Sequence, residues 1–133
     1  MKRVFADAFF YLALLNRNDA AHRRAMQAVK AGAAETVTTM AVLLEVADAL
    51  AAPAMRVACA RFLEELLGGS GTIVHPLGQE LVTKGIERYR QREDKAWSLT
   101  DCISFVVMEQ EQLTEALTGD RHFEQAGFVA LLQ

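Results

Sequence analysis

The chain has 133 residues, of which 52% are hydrophobic and 23% are charged, and its formal net charge is −3. This length fits a single domain, expected over residues 1–133, which buries a full core without disulfides. The negative net charge excludes a general attraction to nucleic acid or anionic membranes, so a polyanionic partner requires local basic groups or bound metal.

The first half of the chain alternates strand-like runs with helical segments. The run RVFA at residues 3–6 predicts a strand, and the apolar AFFYLALL after it predicts a short buried helix. A second helix is predicted over about residues 19–31, with the glycine that follows as its C-cap. The β-branched run at residues 35–39 predicts the second strand, and a helix follows over about residues 40–51.

The second half continues the alternation. Pro53 suits the first position of a helix that ends at GGSG, residues 68–71. Further strands are predicted at residues 72–75, 115–118 and 128–132, and further helices at residues 78–92, from residue 98 onward and around residues 122–125. This order indicates an α/β fold with a mainly parallel central sheet of about five strands, flanked by helices.

The cysteines and the N-terminal sequence indicate the cellular compartment of the protein. No metal-ligand spacing surrounds Cys59 or Cys102, so we expect reduced core thiols and no zinc site. Lys2 and Arg3 precede an apolar run as in a signal peptide, but Asp7 interrupts that run. No apolar stretch reaches the roughly 18 residues of a membrane span. We therefore expect a soluble, cytoplasmic protein that makes no membrane contact.

Three acidic residues stand where an open parallel sheet places its ligand sites, beyond the carboxyl ends of the strands, and a fourth is a further candidate. Asp7 directly follows the first strand, Asp120 follows the fourth by two residues, and Asp101 lies in the first turn of a helix. The fourth acid, Glu45, lies about two turns into the helix TTMAVLLEVADAL. We expect one edge of the sheet to gather these side chains.

Each acid also has a purely structural interpretation. Asp7 and Asp120 are both placed to cap the helix that follows, because Asp is a favoured N-cap residue. Ser98 and Asp101 have the spacing of a capping box, and an acid in a first turn suits the helix dipole. Glu45 could equally face water. Only the convergence of the four acids favours a functional site.

A cluster of carboxylates repels itself and must take up protons or bind cations. Oxygen ligands without cysteine suit Mg²⁺ or Mn²⁺, which often share their coordination shell with a substrate phosphate. Such metals polarise water and neutralise charge on a phosphodiester. The chemistry that this pattern predicts is phosphodiester hydrolysis.

The chain resembles the PIN-domain family, and within it the VapC-type toxin ribonucleases of bacterial toxin-antitoxin systems. The resemblance lies in four stretches, VFADAFFYLALL, TTMAVLLEVADAL, DKAWSLTDCISFVVM and LTGDRHFEQAGF, in that order. It implies that the family's metal-site positions fall on Asp7, Glu45, Asp101 and Asp120. It also implies Mg²⁺- or Mn²⁺-dependent endoribonuclease activity, a homodimer and a small antitoxin partner. One residue departs from the pattern, because many relatives have Thr or Ser where this chain has Ala8.

A negatively charged chain that cuts RNA needs local cations. Arg121, beside Asp120, is the first candidate for phosphate contact, followed by Lys95 and Arg92. The mixed charges around the last two also fit a solvated helix face. Trp97 fits either a base-stacking role or a core anchor. His122 is expected to shape a turn or to hydrogen-bond locally, rather than to act in catalysis.

Two other functions compete with the ribonuclease. One is a catalytically weak or inactive module of the same fold that binds RNA or protein, which Ala8 and the sparse basic residues would permit. The other is a phosphoacceptor receiver domain, which also places acids at strand ends. A receiver would need paired acids after the first strand and a lysine after the last, and neither pattern is present.

Overall fold

Strands and helices alternate along the part of the chain that the computed structural model describes, residues 2–32, 34–69 and 71–133. The strands are β1 (Lys2–Ala6), β2 (Ala34–Thr39), β3 (Thr72–His75), β4 (Glu115–Leu117) and β5 (Val129–Ala130). The helices are α1 (Ala8–Leu15), α2 (His22–Ala31), α3 (Met40–Ala49), α4 (Pro53–Leu67), α5 (Gln79–Gln91), α6 (Leu99–Gln110) and α7 (Arg121–Gln125). None of the described helices combines the length and apolarity needed to span a membrane.

The observed boundaries follow the predicted ones closely, with two differences. Helix α2 begins at His22 rather than near residue 19, because Asp19 Oδ1 accepts a hydrogen bond of 2.8 Å from the Ala21 N–H and forms a turn. Strand β5 covers only Val129–Ala130, a shorter segment than the predicted 128–132. Met1 of the predicted domain and Ser70 of the predicted GGSG helix terminator lie outside the described residues.

Local signals account for several helix ends. The Thr39 hydroxyl caps α3 by accepting a hydrogen bond of 3.1 Å from the Val42 N–H. Pro53 occupies the start of α4, where its missing N–H costs no helical bond. After α2, Gly32 adopts a φ of 52°, the left-handed conformation that glycine accepts without steric penalty.

All of the strands join one parallel sheet in the order β3-β2-β1-β4-β5. The chain therefore runs outward from β1 to one edge, returns to the other side of β1, and continues to β5. Between β1 and β4 the connections diverge, which creates the crevice where open α/β sheets bind ligands. In this pair Ala6 is in register with Leu117, so the residues that follow them, Asp7 and Thr118, emerge side by side.

Helix α6 is the most buried helix among the described residues. Eight consecutive residues, from Asp101 to Met108, are buried. A helix that is enclosed on every side needs apolar residues around its whole circumference, and the segment CISFVVM supplies them. Asp101 is thus carried by an element of the core rather than by a surface loop.

Phe105 links α6 to the C-terminal part of the fold. Its ring packs edge-to-face on Trp97, with centroids 5.1 Å apart, and on Phe123, with centroids 5.0 Å apart. Phe128 packs on the same ring at 5.7 Å. Such aromatic pairs are worth about 0.5–1.5 kcal/mol each beyond the area that they bury.

Replacing Phe105 by Ala should lower the free energy of unfolding by about 3–5 kcal/mol, because a fully buried ring is lost and its cavity cannot close completely. Urea denaturation followed by far-UV circular dichroism measures the loss. The matched control is Val57→Ala at a side chain that is 67% exposed, which should change stability by no more than about 0.5 kcal/mol. Equal effects of the two substitutions would show that the aromatic contacts add little.

Candidate metal centre

Asp7 is a buried carboxylate at the carboxyl end of β1, with only 5% of the residue exposed. The Thr118 hydroxyl donates a hydrogen bond of 2.9 Å to its Oδ2, across the junction between β1 and β4. Although Asp7 occupies the N-cap position of α1, its side chain makes no capping hydrogen bond. The capping interpretation of Asp7 is therefore wrong, and its carboxylate points toward β4.

Burial raises the pKa of Asp7 to about 7, because water no longer solvates the charged form. The hydrogen bond from Thr118 opposes this shift, while the negative charges of Asp101 and Glu45 add to it. A carboxyl group in this position is unstable as an isolated anion. It needs either a proton or a nearby cation at neutral pH.

Asp101 serves both as a helix cap and as a member of the acidic group. The predicted capping box is present: the Ser98 hydroxyl accepts from the Asp101 N–H at 3.0 Å, and Asp101 Oδ2 accepts from the Ser98 N–H at 3.1 Å. The same Oδ2 lies 3.0 Å from His122 Nδ1. The structural interpretation and the functional one are thus compatible.

Asp120 begins α7 as its N-cap, as the structural interpretation predicted. Its Oδ1 accepts a hydrogen bond of 2.9 Å from the His122 N–H, and its own N–H donates to the Thr118 hydroxyl at 3.1 Å. One ligand atom from each of Asp101, Asp120 and His122 lies within 4.8 Å of the other two. The structure brings these three side chains close enough to share one ion.

Glu45 lies on α3 at the solvent-exposed side of the group. Partial burial raises its pKa, and the negative charges of Asp101 and Asp120 raise it further. The charge of Glu45 in turn raises the pKa of Asp7. Glu45 is exposed, as its solvent-facing interpretation predicted, and it is not among the three described side chains within range of one ion, so its role as a metal ligand stays a prediction.

The four acids have no cationic side chain among them. No described lysine or arginine forms an ion pair with any of the four, and His122 is the neighbouring basic group. Their repulsion is relieved when a small divalent cation binds. A set of carboxylate oxygens with one imidazole matches the ligands of Mg²⁺ or Mn²⁺, so the residues fit such an ion.

The predicted basic residues form no described ion pair with this donor set. Arg121 is exposed at the first position of α7, next to Asp120. Arg92 donates two hydrogen bonds of 2.9 Å to Asp94, and Lys95 Nζ lies 3.8 Å from the same carboxylate. The described ion pairs of Arg92 and Lys95 therefore involve Asp94 and none of the four acids.

Two side chains of the site were not predicted from the sequence. Thr118 is fully buried, and its hydroxyl connects Asp7 to the backbone of Asp120. His122 makes its expected local bond, but it also contacts Asp101 from another helix. Both residues follow β4 in the chain, and polar residues that follow a central strand can reach this crevice. That position could have identified them as site residues from the sequence.

Gly119, between Thr118 and Asp120, leaves room for an aromatic ring of α1. A Cβ atom at this position would lie only 2.8 Å from Phe9 Cε1, so any other residue would push on that ring. The loop that carries Asp120 and the helix that follows Asp7 are thereby packed directly against each other.

The comparisons with known proteins concern the family and the fold. The chain matches the PIN domain family model over residues 4–129. It is similar to the crystal structure of VapC20 from Mycobacterium tuberculosis, a toxin that cleaves the Sarcin-Ricin loop. That similarity has a TM-score of 0.87 and 25% sequence identity, and it covers 95% of this chain and 96% of VapC20. No curated protein sequence matches the chain.

The raised pKa of Asp7 predicts how pH affects stability without metal. The unfolded carboxyl titrates near 3.8 and the folded one near 7, so its contribution is complete below pH 4 and is lost as the pH rises to 7. Between pH 5 and pH 8 the wild type should lose about 2–3 kcal/mol relative to Asp7→Asn. Thermal unfolding in EDTA at both pH values measures the difference.

The control is Asp48→Asn, which removes an exposed acid of α3 and should keep the wild-type pH dependence. Adding Mn²⁺ at pH 8 should raise the unfolding temperature of the wild type more than that of Asp7→Asn. A wild type and an Asp7→Asn variant with parallel pH profiles would contradict the assignment of Asp7 as a destabilising buried acid.

Proposed function

The chain belongs to the PIN domain family, and from this premise we propose that it is a toxin endoribonuclease that hydrolyses RNA phosphodiester bonds with Mg²⁺ or Mn²⁺. The observation that supports this activity best is that Asp101, Asp120 and His122 lie within range of one ion, while the Thr118 hydroxyl joins buried Asp7 to the backbone of Asp120. Nuclease chemistry is consistent with the family and with the similarity to VapC20.

In this proposal Asp7, Glu45, Asp101 and Asp120 hold the cation, with His122 beside them. When bound, the cation acts as a Lewis acid that neutralises charge at the scissile phosphate and polarises water. The described hydrogen bonds occupy Oδ2 of Asp101 and Oδ1 of Asp120, so the other oxygen of each carboxylate is available for a ligand.

The surrounding groups fix the carboxylates before substrate arrives. Thr118 holds Asp7 and the backbone of Asp120 through one hydroxyl, while Ser98 holds Asp101 through the capping box. Ligands that are oriented by hydrogen bonds in this way bind metal more tightly, by about 10- to 100-fold per contact in characterised sites. Exposed Arg121, next to Asp120, is placed to contact the phosphate of the substrate.

The inactive binding module remains the second candidate, and a specific observation favours it. Ala8 is 4% exposed and offers no hydroxyl beside Asp7, where many relatives have Thr or Ser. The Thr118 hydroxyl already contacts Asp7, which supports retained activity. Cleavage measurements decide between the two functions.

We also propose a small antitoxin partner, a homodimer and a cytoplasmic site of action. An apolar groove of about 830 Å³ between α1, α2 and α4 would accept the apolar face of such an antitoxin. Its walls include Phe10, Tyr11, Leu14, Val29, Phe62 and Leu66. Analytical ultracentrifugation of the protein, alone and mixed with a candidate antitoxin, tests both assemblies.

The experiment that tests the activity is cleavage by purified, antitoxin-free protein of total bacterial RNA and of a synthetic RNA stem-loop with the Sarcin-Ricin sequence. Discrete fragments should appear with Mg²⁺ or Mn²⁺ and disappear with EDTA. Asp101→Asn should slow cleavage by more than about 100-fold, because it removes a charged metal ligand.

The matched control for that experiment is Asp48→Asn, an exposed acid of α3 outside the acidic group, which should cut RNA at the wild-type rate. Identical fragments from wild type and Asp101→Asn would indicate a contaminating nuclease or a different site. An absence of cleavage with either metal would make the binding module the better function.

A further inference from the structure

An open cleft of about 570 Å³ lies between α5 and the connection from α5 to α6. From α5 it is lined by Ile86, Tyr89 and Arg90, at the i, i+3, i+4 spacing of one helix face, and Arg92 and Glu93 line it from just past the end of the helix. Residues 95–97 close the other side. The cleft thus has a regular helical wall and a loop wall.

Both walls are held firmly. Helix α5 approaches α6 so closely that a Cβ atom at Gly85 would lie 2.6 Å from Ile103 Cγ1, and Arg88 is paired with Glu109 of α6 at 2.5 Å. On the loop side, the Trp97 indole N–H donates to Gln125 Oε1 at 3.0 Å. The cleft therefore exists before a ligand binds.

Tyr89 is the aromatic group of the cleft that a ligand can reach. Tyr89 is 54% exposed, whereas Trp97 is only 6% exposed and packs its ring on Phe105. Trp97 is accordingly a core anchor, the alternative that the sequence left open. Base stacking requires an exposed ring face, which Tyr89 provides.

The charges of the cleft single out Arg90. Arg92 is bound through both hydrogen bonds to Asp94, and its guanidinium also lies 5.3 Å from the Trp97 ring centroid. Lys95 shares the same carboxylate. Among the described ion pairs none involves Arg90, so this side chain remains available for a phosphate.

The loop wall of the cleft leads along the chain to the acidic group. Trp97, which lines it, directly precedes Ser98, and Ser98 is hydrogen-bonded to Asp101. We propose that the cleft binds one unpaired nucleotide of the RNA next to the cleaved bond, with its base stacked on Tyr89 and its phosphate paired with Arg90. This inference rests on the proposed function for the identity of the ligand, since unpaired bases are the ones free to stack.

Fluorescence anisotropy with a labelled RNA stem-loop and Mg²⁺ tests the proposal, with Asp101→Asn as the parent protein so that the RNA stays intact. Tyr89→Ala should weaken binding by roughly 5- to 100-fold, and Tyr89→Phe should retain it. Arg90→Gln should lower the slope of log Kd against log salt by about 0.7, the value for one phosphate of a single strand. Arg61→Gln, an exposed cation of α4, is the control and should leave affinity unchanged.

Unchanged affinity in both Tyr89→Ala and Arg90→Gln, with normal circular dichroism, would overturn the proposal. A changed sedimentation coefficient with unchanged RNA affinity would overturn it too, and would identify the cleft as a contact between copies. Failure of the proposed function gives a different result, because RNA would then bind through Tyr89 but wild-type protein would not cut it.

Discussion

The site depends on one electrostatic constraint, the burial of like charges without a cationic side chain. Asp7 and Asp101 are both buried. Burial raises the pKa of Asp7, the charges of Asp101 and Glu45 raise it further, and no described lysine or arginine forms an ion pair with these acids. Buried carboxylates are stable in a fold only if neutral hydrogen-bond donors hold them and a bound ion or a proton offsets their negative charge. Those donors are the Thr118 hydroxyl, the Ser98 N–H at the start of α6 and the His122 N–H at the start of α7.

The architecture was predictable because each element carries its own local signal. The β-branched run at residues 34–39, Pro53 at the start of α4 and Gly32 after α2 each determine a local conformation without help from distant contacts. Where prediction was less accurate, the cause was local hydrogen bonding, as at the Asp19 turn that delays α2. The strand order was not predicted, since pairing of β1 with β4 depends on the whole chain.

The sequence placed Asp7 and Asp120 correctly after strands, but it could not give the hydrogen bonds of the acids. Capping and ligand roles looked like rivals, yet Asp101 makes the capping box and contacts His122 with the same oxygen. Thr118 escaped notice because a hydroxyl carries no charge, and its importance appears only when β1 and β4 are paired. Arg92 and Lys95 looked available for phosphate, although both contact Asp94 in the structure. Asp94 lies on a connection between helices, and neither helical nor strand periodicity predicts the shape of such a connection.

The burial of α6 affects which mutations would abolish activity. Because Asp101 is carried by eight consecutive buried residues, substitutions at apolar positions such as Phe105 or Val107 would displace the carboxylate while touching no substrate. In a genetic selection against the proposed toxin activity, we expect survivors with changes throughout this helix as well as at the acids. Helix α6 would then be one large mutational target, because a substitution that disturbs its packing would impair both folding and catalysis.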